Sequence, residues 1–193
     1  MATKKPKTIS YRRKRDQHTD YHKRLRLLLS REKRLVVRIT NQKVLAQLAQ
    51  FMPTGDKILL TVDSFALKKL GWTYSCKNLP AAYLTGLLFG KKAVEKGYTK
   101  AILDTGLRSP LHKGRVYAFL KGVLDAGVDM PHGSEEIFPE EGRMKGEHIK
   151  QYAAKIKNDT ALYKQRFTQY LKNNAEPQRI EEVFETVRGK ITR

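Results

Sequence analysis

The chain has 193 residues, with 39 Lys and Arg against 19 Asp and Glu, so its formal net charge is +20. A compact state with this excess repels itself unless a polyanion neutralises it, which indicates a nucleic acid or an anionic membrane as partner. No apolar run approaches the roughly 20 residues of a bilayer span, and the basic N-terminus has no apolar stretch typical of a secretory signal. Cys76 is the only cysteine and, with five His, leaves no disulfide and no zinc-finger spacing. We therefore expect no membrane-spanning segment and a reduced, cytoplasmic location, and we predict no membrane partner, no metal and no cofactor.

The positive charge is concentrated towards the N-terminus. Residues 1–38 carry 14 Lys and Arg against three acids, residues 39–128 carry 13 against five, and residues 129–193 carry 12 against 11. A surface adapted only for solubility would mix both signs throughout. The N-terminal region is therefore predicted to bind phosphates.

The N-terminal elements are a disordered start, a helix and a strand. Residues 1–10 are polar, basic and contain proline, so no structure is expected there without a partner. A helix follows, capped by Thr19 or Asp20, with an apolar stripe between its Arg and Lys residues. That stripe consists of Tyr21, Leu25, Leu28 and Leu29. The β-branched stretch Arg34–Ile39 predicts the first strand.

The next stretch is ambiguous. Residues 42–51 have the composition of a helix, yet the alternation of Val44, Ala46 and Leu48 is typical of a strand facing a core. The pattern alone leaves both interpretations open. A turn at Gly55-Asp56 then leads into a predicted strand at residues 57–63.

The rest of the chain alternates helices with one short strand. We predict helices at Ser64–Leu70, Pro80–Lys96 and Val116–Ala126, a strand at Ala101–Asp104, and helical patterns near 147–157, 160–172 and 177–189. Strands that follow one another and then alternate with long helices predict an α/β fold, a mixed sheet covered by helices. The predicted parts are a basic RNA-binding arm and helix (1–30), an α/β core (31–130) and a helical C-terminal extension (131–193).

Cations and aromatic rings are interleaved in the N-terminal arm. Lys and Arg can neutralise phosphates, and Tyr or His rings can stack on unpaired bases, as in most sequence-specific RNA recognition. The predicted RNA-binding residues of the arm are Lys4, Lys5, Lys7, Tyr11, Arg12, Arg13, Lys14, Arg15, Thr19, Asp20, Tyr21, His22, Lys23, Arg24 and Arg26. The alternative is a nuclear-type address or a solvated helix face.

A second candidate surface surrounds the first strand, at Arg34, Arg38, Thr40 and Asn41. Arg34 and Arg38 are an even number of residues apart and therefore project from the same face of the strand. This predicts a basic sheet face or edge that meets RNA. The alternative is an edge strand whose charges prevent aggregation.

A third candidate lies just before a predicted helix, at Arg108, Lys113 and Arg115. Free backbone N–H groups and the helix dipole attract anions there. A phosphate site is one interpretation, and ordinary capping with solubilising charge is the other.

An enzymatic interpretation rests on Asp63 and Asp104, which follow predicted strands and could together hold Mg²⁺ for nuclease chemistry. Each is equally explained as a helix cap or a turn, and residues 39–128 contain only five acids in all. Gly86 and Gly90 before Lys91 have a spacing one residue short of a phosphate-binding loop, so close helix packing explains them better. We therefore predict no enzymatic activity.

Motifs in order across residues 11–133 carry a family resemblance. They are Arg12–Arg15, Thr19–Tyr21, Arg34–Asn41, Gly55-Asp56, Asn78–Leu88, Leu103–Leu107, Gly114–Tyr117, Leu120–Gly122 and Asp129–His132. With these motifs the chain resembles the archaeal large-subunit ribosomal proteins of the L-eighteen family, whose eukaryotic counterpart is protein L-five. Residues 134–193 match weakly.

The resemblance implies a ribonuclease-H-like mixed α/β fold without nuclease activity, and a strand at residues 42–51. It also implies a structural role in the cytoplasmic ribosome, where the protein binds 5S rRNA in the central protuberance. The implied partners are 5S rRNA, 23S rRNA and neighbouring large-subunit proteins, including the other 5S rRNA-binding protein, with no homo-oligomer. The residues that match the family's RNA-contacting regions are those of segment 4–26 and of the strand Arg34–Asn41.

Overall fold

A computed structural model describes residues 8–192. The candidates Lys4, Lys5 and Lys7 lie outside the described residues. The strands are β1 (Arg34–Ile39), β2 (Val44–Gln50), β3 (Lys57–Asp63) and β4 (Ile102–Asp104). The α-helices are α1 (Arg12–Arg15), α2 (Tyr21–Leu29), α3 (Ala66–Lys69), α4 (Leu79–Glu95), α5 (Arg115–Asp125), α6 (Glu141–Lys145), α7 (Glu147–Lys155), α8 (Thr160–Arg166), α9 (Thr168–Lys172) and α10 (Ile180–Thr192). Short 3₁₀ helices lie at Glu135–Ile137 and Pro177–Arg179.

The four strands form one mixed sheet in the order β3-β2-β1-β4. β2 is antiparallel to both β1 and β3, whereas β4 pairs in parallel with β1. This confirms the predicted α/β fold with a mixed sheet. It also makes β1 an interior strand, so the interpretation of Arg34–Ile39 as a charged edge strand is wrong.

Helices α4 and α5 pack together and form the core with one face of the sheet. Leu35 and Val37 of β1 are buried in the same core as Phe89 of α4 and Phe119 of α5. Gly86 permits a close approach of the two helices, because a Cβ there would collide with the Phe119 carbonyl oxygen. This confirms that the glycines of α4 serve helix packing.

The ambiguous residues 42–51 contain strand β2, as the family resemblance implied. Val44, Ala46 and Leu48 are buried and alternate with less buried neighbours. The segment forms a strand despite its helical composition, because backbone pairing with β1 and β3 and the burial of one face outweigh intrinsic helix propensity.

The predicted boundaries of the main helices are close to those observed. Helix α4 begins at Leu79 rather than Pro80, because the Asn78 side chain accepts a hydrogen bond from the Ala81 amide (2.9 Å) and caps it. The predicted helix at 160–172 is two helices, α8 and α9, which meet at Phe167.

The C-terminal helices share the main core. Phe184 of α10 is buried and lies 5.7 Å from the ring of Tyr83 in α4, measured between ring centroids. The Tyr74 hydroxyl donates to the carbonyl of Glu176 at 2.6 Å. The extension is therefore packed on the core, and the three-part division of the chain stays a prediction. Within residues 8–192, no helix is long and apolar enough to span a bilayer.

Candidate nucleic-acid interface

Helix α2 lies against the sheet face that α4 and α5 leave uncovered. A small cavity of about 230 Å³ separates Lys23 and Leu27 of α2 from Arg34 and Arg38 of β1. The helix begins at Tyr21 because the Asp20 carboxylate accepts the backbone amides of His22 and Lys23 at 3.0 and 3.1 Å. Asp20 is therefore the N-cap of α2.

Two cations of α2 bind the core instead of pointing into solvent. Arg24 makes a bidentate ion pair with Asp56, with N···O distances of 2.9 and 3.0 Å. Lys23 donates to the Gly106 carbonyl at 2.8 Å and to the Thr105 hydroxyl at 3.3 Å. These bonds join the helix to the turn before β3 and to the loop after β4.

Arg34 of β1 binds the same Asp56 from inside the protein. Its guanidinium donates to Asp56 at 2.6 Å and to Asp104 at 2.8 Å, and its side chain is only 3% exposed. Burial alone would raise the pKa of Asp56, but the hydrogen bonds and charges of Arg24 and Arg34 outweigh it and lower that pKa. Arg34 shares a strand face with Arg38, as predicted, yet it reaches no surface. The expectation that Arg34 projects towards RNA is thus not met, because two carboxylates and the covering helix hold it inside.

We call Arg24, Arg34, Asp56 and Asp104 the arm clamp.

Four cations of the arm remain accessible. Within residues 8–192 their side chains are exposed and make no ion pair or hydrogen bond; they are Arg12, Lys14, Arg15 and Arg26. Arg13 is also exposed, but its Nε donates to the Thr19 hydroxyl at 2.9 Å, which ties α1 to the start of α2. The arm thus offers at least five cations to a polyanion.

The predicted aromatic groups of the arm lie together. The rings of Tyr11 and Tyr21 are 5.1 Å apart, and Tyr11 is 73% exposed. His22 is exposed beside them. The predicted apolar stripe is not buried, since Leu25 and Leu29 are 59% and 72% exposed. The helix faces the sheet with Lys23, Arg24 and Leu27 instead, so its outer surface carries apolar and basic groups side by side.

The other candidates near β1 divide into one structural and two accessible residues. The Thr40 hydroxyl accepts the amides of Gln42 and Lys43 at 3.2 and 3.0 Å and so builds the β1–β2 turn. Arg38 donates to the carbonyls of Val37 and Asp104, but 45% of its side chain is exposed. Asn41 is exposed in the turn.

The third candidate cluster forms part of a basic surface near α5. Arg108, Lys113 and Arg115 are all exposed. Arg108 lies across the end of β1, where it approaches the Ile39 carbonyl at 3.4 Å. Arg115 donates to the carbonyl of Lys77 at 3.1 Å. The cluster therefore ties the loop after β4 to the end of β1, and the start of α5 to the segment before α4.

The two carboxylates of the enzymatic interpretation are far apart. Asp63 ends β3 and Asp104 ends β4, at opposite edges of the sheet and three strand spacings, roughly 14 Å, from each other. Two catalytic metal ions would lie about 3.5–4 Å apart. Asp63 pairs instead with Lys43 at 2.8 Å and Asp104 with Arg34. Within residues 8–192, no three potential ligands are grouped to hold a metal.

Sequence reasoning missed the acidic side of the clamp. The sequence indicates Asp56 only as part of a turn, and Asp104 only as part of a turn or as a metal ligand. Their true partners are 22, 32 and 70 residues away in the chain. The available signal was the scarcity of acids in residues 39–128, since an isolated acid in a basic protein is a natural partner for a buried Arg.

The fold and the accessible cations define a basic α/β protein with a cationic N-terminal arm. Residues 5–100 match the family described as ribosomal large subunit proteins 60S L5 and 50S L18. The chain is also 49% identical, over 185 residues, to large ribosomal subunit protein uL18 of Korarchaeum cryptofilum (strain OPF8), covering 95% of this chain and 93% of that protein.

The chain belongs to this family of large-subunit ribosomal proteins. It is therefore a constituent of the large subunit of the cytoplasmic ribosome and associates with rRNA. The family is one of structural ribosomal proteins and not a family of enzymes.

Proposed function

We propose that the protein binds 5S rRNA with its N-terminal arm and helps attach it to 23S rRNA in the central protuberance. The supporting observation is that the exposed cations sit on elements held in place: the arm clamp fixes α2 to the core through Arg24, and the bond from Arg13 to Thr19 ties α1 to the start of α2. Cations held in one orientation lose less freedom on binding than cations on a flexible tail. The proposal extends the family resemblance of segment 4–26 to the residues that are accessible.

In this proposal the basic residues of the arm have different roles, depending on whether they are accessible or bound to the core. Arg12, Arg13, Lys14, Arg15 and Arg26 contact phosphates, and the Tyr11, Tyr21 and His22 rings stack on unpaired bases. Lys23, Arg24 and Arg34 act inside the protein and hold α2 in place, while Asp20 and Thr19 fix its start. A second RNA segment contacts the surface beside the arm, which consists of Arg38, Asn41, Arg108, Lys113 and Arg115. We propose that neighbouring large-subunit proteins, including the other 5S rRNA-binding protein, contact the near-neutral residues 131–193.

Replacing Arg12, Lys14 and Arg15 together by Ala tests the role of the arm. Each lost phosphate contact reduces the slope of log affinity against log salt by about 0.7–0.9, so we expect the slope for 5S rRNA to fall by about 2–3. The measurement is a filter-binding or anisotropy titration at several salt concentrations.

The matched control replaces Lys155, Lys157 and Lys164 by Ala. These three side chains are exposed in the C-terminal extension, so the control removes the same charge from another surface. An equal loss of slope in both variants would contradict the proposal, because net charge alone would then account for the binding.

A further inference from the structure

A large cleft lies between the core and the C-terminal extension. It has a volume of about 870 Å³ and opens where the carboxyl ends of β1 and β4 meet the starts of α4 and α5. Arg143, His148 and Tyr170, from α6, α7 and α9, line its other side. The volume lies in the range of roughly 300–1,000 Å³ that is typical of pockets for small ligands.

The charge of the cleft is of one sign. Among residues 8–192, no carboxylate lines it, whereas six cations do: Arg38, Lys77, Arg108, Lys113, Arg115 and Arg143. Lys77 and Arg143 are exposed and have no ion-pair partner within the described chain. Two carboxylates outside the lining approach its cations: Glu140 lies 3.7 Å from the Lys113 ammonium, and Asp104 lies 3.9 Å from the Arg38 guanidinium. Such a concave surface concentrates anions, because like charges in a cleft focus the field.

Two polar atoms in the cleft wall have no hydrogen-bond partner within residues 8–192. They are Nδ2 of Asn78 and Nδ1 of His148, and both are buried from solvent, although the Asn78 side chain lies beside the Tyr170 hydroxyl. Buried polar atoms are nearly always paired, so an unpaired one calls for a partner from outside the chain. Burial and the charge of Arg143 lower the pKa of His148, which favours its neutral imidazole. The ring of Tyr170 lies in the same wall.

We propose that this cleft binds an unpaired nucleotide of an RNA strand, with the cations on its phosphates and Asn78, His148 and Tyr170 around its base. Arg and Lys pair with phosphate oxygens, and an aromatic ring stacks on any base. A strand fits better than a free nucleotide because six cations from five segments exceed what one phosphate can engage. The identity of the RNA as ribosomal rests on the proposed function; the cleft itself is a second site, separate from the arm. The C-terminal extension thereby completes an RNA pocket in addition to any protein contacts.

The test compares two double variants. Lys77→Ala with Arg143→Ala removes a cation from each wall of the cleft. Lys92→Ala with Lys96→Ala removes the same charge at the far end of α4 and serves as control. We expect the salt slope of 5S rRNA binding to fall by about 1.4–1.8 in the cleft variant, two contacts' worth, and to change little in the control. Equal changes in the two variants would overturn the proposal. Thermal unfolding of both variants verifies that the fold is retained.

Short probes separate the cleft from the arm and from the choice of RNA. The wild-type chain and both double variants are titrated with a single-stranded RNA tetranucleotide, with the same oligomer lacking its bases, and with adenosine monophosphate. The proposal predicts that the tetranucleotide binds the wild type at least tenfold more tightly than either other probe and loses most of that affinity in the cleft variant. Equal binding of the monophosphate and the tetranucleotide would overturn it. If the tetranucleotide behaves as predicted while the wild type does not prefer 5S rRNA over tRNA, the proposed function fails and the cleft does not.

Discussion

Arg34 holds two carboxylates together inside the protein, at 2.6 Å from Asp56 and 2.8 Å from Asp104. Its side chain is 3% exposed, so water cannot replace the pairs when one partner is lost. Breaking a buried ion pair from one side leaves an uncompensated charge and typically costs about 3–5 kcal/mol. The residue thus contributes to folding, and through folding to RNA binding.

We expect Arg34→Ala to lower the free energy of unfolding by about 3–5 kcal/mol, since it leaves two carboxylates unpaired. Arg38→Ala on the same strand face removes an exposed guanidinium and should cost less than about 1 kcal/mol. Urea denaturation of the two variants measures both values. Similar stability of the two would show that Arg34 is not structurally required.

For Asp56, the arm clamp and net charge predict opposite changes in RNA affinity. Removing an acid from a basic surface should strengthen RNA binding by electrostatics alone. If the clamp orients α2, Asp56→Asn should instead weaken 5S rRNA binding about tenfold, or ~1.4 kcal/mol, because the arm must then be ordered on binding. The exposed Asp16→Asn removes the same charge outside the clamp and should leave affinity equal or higher. Tighter 5S rRNA binding by Asp56→Asn would contradict the clamp's role.

The pH dependence of stability checks the same clamp. The ion pairs lower the pKa of Asp56 in the folded chain, so their contribution is present above the unfolded value, near 3.8, and is lost as pH falls through the folded pKa. The stability difference between the wild type and Asp56→Asn should therefore be largest near neutral pH and vanish in acid. A pH-independent difference would mean that Asp56 acts without its charge.

Among the elements, the central strands and helices could be predicted well, because local signals and burial agree there. Strands β1 and β3 have the predicted boundaries, and α4 starts at the Asn78 cap just before Pro80. Residues 42–51 could not be decided by pattern, since strand pairing supplies what composition lacks. The docking of α2 escaped prediction because it depends on ion pairs between residues distant in sequence, and a charge pattern does not tell a buried cation from an exposed one. The cleft escaped it because its walls come from several separate segments.

Replacing glycine by alanine is expected to have opposite effects on stability at Gly86, in the contact between α4 and α5, and at Gly189 in α10. Gly86→Ala would place a methyl group on the Phe119 carbonyl, so we expect a loss of at least about 1–3 kcal/mol of stability. Gly189→Ala in α10 meets no atom within 4 Å and should stabilise the helix by about 0.5–1 kcal/mol. Thermal unfolding measures both. Equal effects would contradict the close approach of the two helices.

The positive charge of the protein decreases from the N-terminus to the C-terminus. The positive charge is greatest in residues 1–38 and nearly balanced in residues 129–193. The arm clamp fixes part of the basic region to the sheet, and the C-terminal helices pack on α4. Non-specific attraction to RNA follows from charge alone, whereas a preferred RNA requires cations in fixed positions. We propose that these fixed positions, and not merely the net charge, select 5S rRNA.

The most direct test titrates the purified protein with 5S rRNA, using tRNA as competitor, from low to physiological salt. We predict a preference for 5S rRNA of at least about 10³-fold that persists as salt rises, because specific contacts survive screening better than non-specific ones. Affinities for both RNAs that fall together, with no preference at physiological salt, would contradict it and leave a general nucleic-acid-coating protein.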